Sequence, residues 1–285
     1  MIKEMIYTHT NEMSEKLRYK ESGLSVHETA IVSEKAIISA GVEIGPYCVV
    51  GDNVKLASGV KLHSHVHIGG ITEVGENTEV FPFAAIGLAP QDLKYSGEES
   101  RVTIGSNNIL REYVTIHSGT KLGRMETTIG NNCLLMVSSH VAHDCVVGNN
   151  VVMANNATLG GHVVIEDNVI IGGLAAVHQF VRIGRFAMIG GVSAVTSDVS
   201  PYASVAGDRA KLLGVNTRGL KRNGFGNDDI VALHQAYDII FKTDDENFSA
   251  RIKKVEIEYK DNDKVMNVIN FLKNNKIRPI CTPSK

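Results

Sequence analysis

The chain has 285 residues, 43% of them hydrophobic, enough for one large or two modest packed domains. With 27 glycines, no tryptophan and only 6% aromatics, its core must be filled by aliphatic residues at regular intervals, and a net charge of −2 gives no footing for a nucleic-acid partner. Four cysteines without a CxxC pair indicate neither a zinc knuckle nor a disulfide framework, and no run approaches the roughly 20 apolar residues of a membrane span.

The first 23 residues are interrupted by charges and lack the apolar run of a signal peptide, so they are expected to form an extension on a cytoplasmic protein. From Val32 an aliphatic residue returns every sixth position: Ile38, Ile44, Val50, Leu56, Leu62, Ile68, Val74, Val80, Ile86. The count resumes at Ile104, Leu110 and Ile116, and again from Ile129 to Val195. Two places before each aliphatic sits a smaller residue, such as Val42, Cys48, Val54 or Ala157, and a glycine often follows, as at Gly45, Gly75 or Gly148. A period of six suits neither a helix nor a plain alternating strand. It fits a short strand, whose aliphatic and small residue share one face, followed by a tight corner where glycine or asparagine tolerates φ > 0. Three such faces close a triangular coil of eighteen residues, and stacked coils pair every backbone group with the coil above or below.

The rhythm breaks twice, predicting loop insertions near 87–101 and 117–127; insertions are where solenoids tend to carry function. The parallel β-helix is expected over 24–205. From 206 to 285 a small α-helical domain is predicted, with one helix capped by Asn227 or Asp228 and another from about Asp261.

If residues eighteen apart stack, His143 lies beneath Gly161, Asp144 beneath His162, His140 beneath Thr158, and Gln179 continues the column above Gly161. His140, His143, Asp144, His162, His178 and Gln179 then share one stripe of wall, and the glycine leaves room above the imidazole. One reading is solvated corners and a purely structural β-helix. A second is a metal site of the kind found in gamma carbonic anhydrases, but the histidine spacing differs and no metal is expected. The third is acid–base chemistry, for which an imidazole titrating near pH 6.5 is suited. Cys145 falls on an inward-facing position, so direct transfer without a covalent enzyme intermediate is the simpler mechanism.

The stretches PQDLKYSGE, NNILREYVTIH, HVAHDCVVGNN, ANNATLGGHV, IGGLAAVHQFVRIG and GVNTRGLKRNGF resemble the UDP-N-acetylglucosamine O-acyltransferases that open lipid A biosynthesis, over 24–241. The resemblance implies a mainly β fold, a left-handed parallel β-helix of hexapeptide repeats with a small C-terminal α-helical domain. It also implies a homotrimer with sites between neighbouring β-helices, and an acyl carrier protein that delivers a 3-hydroxyacyl thioester to UDP-N-acetylglucosamine without a cofactor. Carried over position by position, His143 would be the general base, Asp144 its orienting partner, and the Gly161 N–H the oxyanion donor. Gln91, Asp92 and Lys94 would hold the amino sugar with His140, His162 and Gln179, His178 nearby. Asn155 would contact the acyl chain or its thioester arm, and Gly191 would set the depth of an open acyl groove. Asn216 and Arg222 would meet the uridine and phosphates. Two positions depart from the family pattern: Arg218 stands where a glutamate is common and Asn223 where a second arginine often follows. The sister enzyme that N-acylates the sugar has a large extra domain ahead of its β-helix, for which the N-terminus here leaves no space. A 3-amino acceptor, giving an amide, is the remaining variant.

Overall fold

The computed structural model describes residues 23–242, 246–274 and 277–284. The expected N-terminal extension lies outside these apart from Gly23.

Short strands, mostly of two residues, stack into three sheets of 11, 9 and 8 strands, parallel but for one pairing at the C-terminal end. The coil winds left-handed, as the resemblance implied. Regular coils pair residues eighteen apart, for instance His140 with Thr158 and Thr158 with Ala176. The aliphatics and their smaller neighbours point inward together: along Asn53–Leu56, Val54 and Leu56 are buried while Asn53 and Lys55 are exposed. Branched aliphatics such as Ile68, Ile116, Leu135 and Ile171 fill the core of the β-helix.

The corners meet the sequence expectation in part. Of the glycines that follow the aliphatics, Gly45, Gly75 and Gly148 among them, only Gly87 has φ > 0. Gly45, Gly75 and Gly148 are required by close approach instead: a Cβ on Gly45 would lie 2.9 Å from the carbonyl carbon of His63 in the next coil, and one on Gly148 2.8 Å from Glu166. The left-handed residue comes two places later. It is glycine at Gly41 and Gly59 and asparagine at Asn77, Asn107, Asn132, Asn150, Asn156 and Asn168, as expected, but also Tyr47, His65, Phe83, Tyr113, Asp144, His162, Leu174 and Phe180. Regular packing of neighbouring coils over-determines these strained residues.

Across the first insertion Ala85 pairs with Thr115, and across the second Thr115 pairs with His140. The loops leave the coil and the stack resumes beyond them, with one register shift between Ile86 and Leu88 where the first begins. After the last regular coil, strands Ala203–Ala206 and Lys211–Val215 form an antiparallel hairpin. Among the described residues four helices follow: α1 (Thr217–Arg222), α2 (Asn227–Lys242), α3 (Phe248–Glu258) and α4 (Asp263–Lys273). Asn227 is the first residue of α2 rather than a cap before it, and α4 starts two residues beyond Asp261, with Asn262 accepting from the Lys264 and Val265 N–H groups as its N-cap. Ile230, Leu233, Tyr237 and Ile240 of α2 and Val265, Val268, Ile269 and Leu272 of α4 are buried at helical spacing, and Phe241 is partly so. The tail then returns to the β-helix: Asp198 N–H donates to Pro279, and Cys281 N–H to Asp198.

Candidate functional site

His143 and Asp144 occupy a corner that follows the strand His140–Val141. Asp144 has φ 60°, which aims its side chain along the edge of the prism rather than into the core. Its carboxylate is nevertheless sealed from solvent, because the second insertion folds over it. Thr120 donates its N–H to both oxygens at 3.1 Å and its Oγ1–H to Oδ2 at 2.6 Å. Arg124 N–H reaches Oδ1 at 2.7 Å, and Thr127 Oγ1 accepts the Asp144 N–H at 2.8 Å. A Cβ on Gly123 would collide with the carboxylate, so only glycine lets the loop come this close. Burial works against the charge, but the bonds from His143, Thr120 and Arg124 outweigh it and bring the carboxyl down to about 2.

Because Asp144 is ionised it accepts only, so the 2.8 Å contact with His143 Nδ1 is an Nδ1–H donated to Oδ2. Nε2 is left as a lone pair. Above it a Cβ on Gly161 would fall 2.5 Å from Nε2, so the imidazole lies against bare backbone. The Gly161 N–H meets no backbone carbonyl among the described residues. His162 packs edge-on to His143 at 4.9 Å, stacks on Phe180 at 4.3 Å, and holds Nδ1 3.8 Å from Asp144 Oδ2. Burial lowers its pKa, while Asp144 and Asp92 of the first insertion pull it upward. His140 Nδ1 bonds Thr115 Oγ1 at 2.7 Å, and burial, then the neighbouring His117 and His143, press it down to about 4, so it works as a neutral ring.

His117, which sequence reasoning passed over, meets His140 edge-on at 5.0 Å and carries a buried Nδ1 without a hydrogen-bond partner. The eighteen-residue count misses it because the second insertion lengthens the step between Thr115 and His140. Carrying the longer step would have set His117 under Ala142, beside His143. Thr120, Gly123 and Arg124 were missed for a related reason: a loop's hydrogen bonds have no period to read.

The other candidates are spread more widely. Asp92 acts on His162 from a tight turn in which it accepts the Lys94 N–H; the Gln91 and Lys94 side chains are exposed. His178 and Gln179 are also exposed, and the tail's Arg278 donates to His178 Nδ1 at 2.8 Å and to the Gln179 carbonyl at 3.0 Å. Asn155 belongs to a neighbouring column with Gly173 and Gly191, in which a Cβ on Gly191 would meet only the Gly173 backbone, 3.2 Å away. Asn216 caps α1, accepting from Gly219 N–H and donating to the Phe186 carbonyl. With Arg218, Arg222, Ile170 and Met188 it lines a groove of about 650 Å³. That groove borders the 11-stranded sheet, whereas the dyad follows a strand of the 9-stranded one, so the two belong to different sides of the prism.

The donor atoms of His143, Asp144 and His162 lie within 4.8 Å of one another, close enough to consider a metal. The donor set fits poorly: Oδ2 of Asp144 already accepts from Thr120 and His143, and Oδ1 from Thr120 and Arg124. The four cysteines are buried, and burial lifts the Cys145 thiol to about 12, which leaves no thiolate nucleophile there.

The sequence pattern described as Udp N-acetylglucosamine O-acyltransferase, Domain 2, matches residues 198–281, and that of the bacterial transferase hexapeptide (six repeats) matches 126–161. The chain is 53% identical over 206 residues to an acyl-(acyl-carrier-protein)–UDP-N-acetylglucosamine O-acyltransferase of Rickettsia felis, covering 72% of this chain and 78% of the relative. A protein of the same name from Caulobacter vibrioides is 49% identical over 74% of this chain and 80% of its own length. Among solved structures, a UDP-N-acetylglucosamine acyltransferase from Campylobacter jejuni superposes with a TM-score of 0.86 at 34% identity, covering 92% of this chain and all of that one. The corresponding Acinetobacter baumannii protein gives 0.86 at 40% identity, covering 90% and 99%.

Proposed function

Since the chain belongs to the acyl-(acyl-carrier-protein)–UDP-N-acetylglucosamine O-acyltransferase family, we propose that it transfers a 3-hydroxyacyl group from acyl carrier protein to the 3-hydroxyl of UDP-N-acetylglucosamine, the first step of lipid A biosynthesis, with His143 as general base. The observation that carries the mechanism is the His143–Asp144 pair laid against Gly161. With Nδ1–H held by an ionised carboxylate, Nε2 takes the proton of the sugar hydroxyl as its oxygen attacks the thioester carbonyl. The Gly161 N–H stabilises the resulting oxyanion, where one preorganised donor is worth a few kcal/mol. Collapse of the tetrahedral adduct expels the carrier thiolate, which recovers the proton from His143. His140 and His162, neutral and half-buried, with Asp92, border the sugar.

The groove at Asn216, Arg218 and Arg222 accepts the uridine diphosphate, two guanidiniums suiting its charge. Its separation from the dyad within one chain is what a site shared between chains requires, so we propose a homotrimer whose clefts bring one chain's dyad to another's groove. We propose that the reaction takes place in the cytoplasm. Separately, no described helix is long and apolar enough to cross a membrane.

Purified protein assayed with UDP-N-acetylglucosamine and a panel of 3-hydroxyacyl carrier proteins should give ester product with one preferred chain length. Product formed only with a 3-amino sugar would reassign the acceptor. An active monomer in sedimentation equilibrium would overturn the shared site.

A further inference from the structure

We propose that the two insertions form one positioning device for the base, in which Glu98 of the first holds the second in place and Thr120 of the second fixes Asp144. The proposal rests on the reading of His143 and Asp144 as the proton-transfer pair and deepens it. Glu98 Oε1 accepts the Lys121 N–H at 2.8 Å, and its Oε2 accepts Ser96 N–H at 2.9 Å. Ser100 Oγ donates to Ser118 Oγ at 2.9 Å, a second joint between the loops. Thr120, next to Lys121, then contributes three of the contacts on the Asp144 carboxylate. From Glu98 to His143 the chain of bonds is continuous.

Its physical task is specific. A buried carboxylate bonded only to His143 could rotate about χ2, and the imidazole would swing with it. Thr120 and Arg124 together occupy both oxygens, so only one orientation keeps every donor paired, and unpairing any of them in a sealed site is costly. The same first loop carries Asp92, which acts on His162. A loop that borders the sugar is thereby tied to the group that deprotonates it. Charged and titratable groups around the pair are His117, His140, His162 and Asp92. None of them replaces the Thr120 donors. Thr120 and Glu98 touch no reacting atom in this scheme; they act through Asp144.

A double-mutant cycle on the full chain tests this. Thr120→Val should lower kcat about tenfold and leave KM for the UDP-sugar within about twofold, the loss expected for one hydrogen bond to a charged group. Thr120→Ser should restore most of it, since the hydroxyl returns. Glu98→Gln should lower kcat by a smaller factor, again at constant KM. In an Asp144→Asn background, Thr120→Val should cost less than about twofold. An equal loss in both backgrounds, or a loss that falls on KM, would overturn the device while leaving the base intact. If Asp144→Asn alone costs nothing, the dyad reading fails and the device with it. Melting curves for each variant guard against a fold effect.

Discussion

Two edges of the same prism use the same strained corner for opposite purposes. Along one, Tyr47, His65, Phe83 and Tyr113, all near φ +60°, stack ring on ring at 5.0, 4.9 and 5.0 Å. Along another, Asp144, His162 and Phe180 take the same φ, and two of the three are polar, packed round His143. Backbone geometry cannot explain the difference, since it is shared. What the comparison teaches is that a hexapeptide corner is a slot the core leaves free: its side chain points along the edge, so stacking coils can build there either a ladder of rings or a column of reacting groups.

The largest expected break in that comparison is His143→Ala. The residue fills no inward position, so the melting temperature should stay within a few degrees, while kcat falls by about 10² to 10⁴. A variant keeping more than about a tenth of wild-type turnover would move proton transfer to another group. Next comes Gly161→Ala, whose methyl would fall 2.5 Å from His143 Nε2. Pushed off that position, the imidazole should lose on the order of tenfold or more in kcat, and a crystal structure of the variant should show the ring displaced; an unmoved ring with full activity would refute the contact. Gly191→Met, in the column of Asn155 and Gly173, should shift preference toward acyl chains several carbons shorter while sparing turnover on those. Rates compared across chain lengths read this directly, and an unchanged profile would place the ruler elsewhere.

Acid should undo the polar edge in two stages. His140 is held down to about 4, and His117 and His162 are lowered too, all chiefly by burial. The unfolded chain binds protons that the fold refuses, so the stability due to neutral histidines is present above about pH 6.5 and drains away as pH falls toward 4. Asp144, lowered to about 2, contributes stability present above about pH 4 that is lost as pH falls toward 2, on the order of 2 kcal/mol. Urea midpoints measured against pH should therefore show Asp144→Asn sharing the first loss and missing part of the second. Parallel curves at every pH would contradict the assigned bonds.

The regular body of the molecule was legible because one residue in six is enough to fix strand, face and stacking partner. The same count set His143 under Gly161 and Asp144 under His162, contacts the structure makes at van der Waals range. Legibility ended where the period did. Thr120, Gly123 and Arg124 lie in an insertion, and no spacing rule says which backbone N–H will meet which carboxylate. His117 sat just before that insertion, where the changed step hid it. The positive-φ reason holds at Gly41 and Gly59 but not at Gly45, Gly75 or Gly148: in a stacked coil, contact between neighbouring backbones can demand glycine as firmly as a positive φ does. The hairpin Ala203–Ala206 with Lys211–Val215 and helix α3 went unseen because neither repeats the hexad nor shows a long apolar stripe.

The smallest effect falls on the aromatic edge. Phe83 stacks on His65 and on Tyr113, with interplanar angles of 27° and 11°, and remains 46% exposed. Removing it deletes two ring contacts, each worth about 0.5 to 1.5 kcal/mol, from a half-solvated position. Phe83→Ala should therefore cost about 1 to 2 kcal/mol in urea unfolding and leave kcat and KM within about twofold. Because φ is +64° there, Phe83→Gly provides a control of opposite sign from the usual strand order. In an ordinary strand glycine is worse than alanine, but at a left-handed corner it escapes the Cβ clash of about 1 kcal/mol, offset partly by the freer unfolded chain. Glycine should then be no less stable than alanine. If alanine proved clearly the better residue, corner strain would not be what these positions carry; if either variant lost activity, the edge of rings would belong to the chemistry after all, and the contrast between the two edges would collapse.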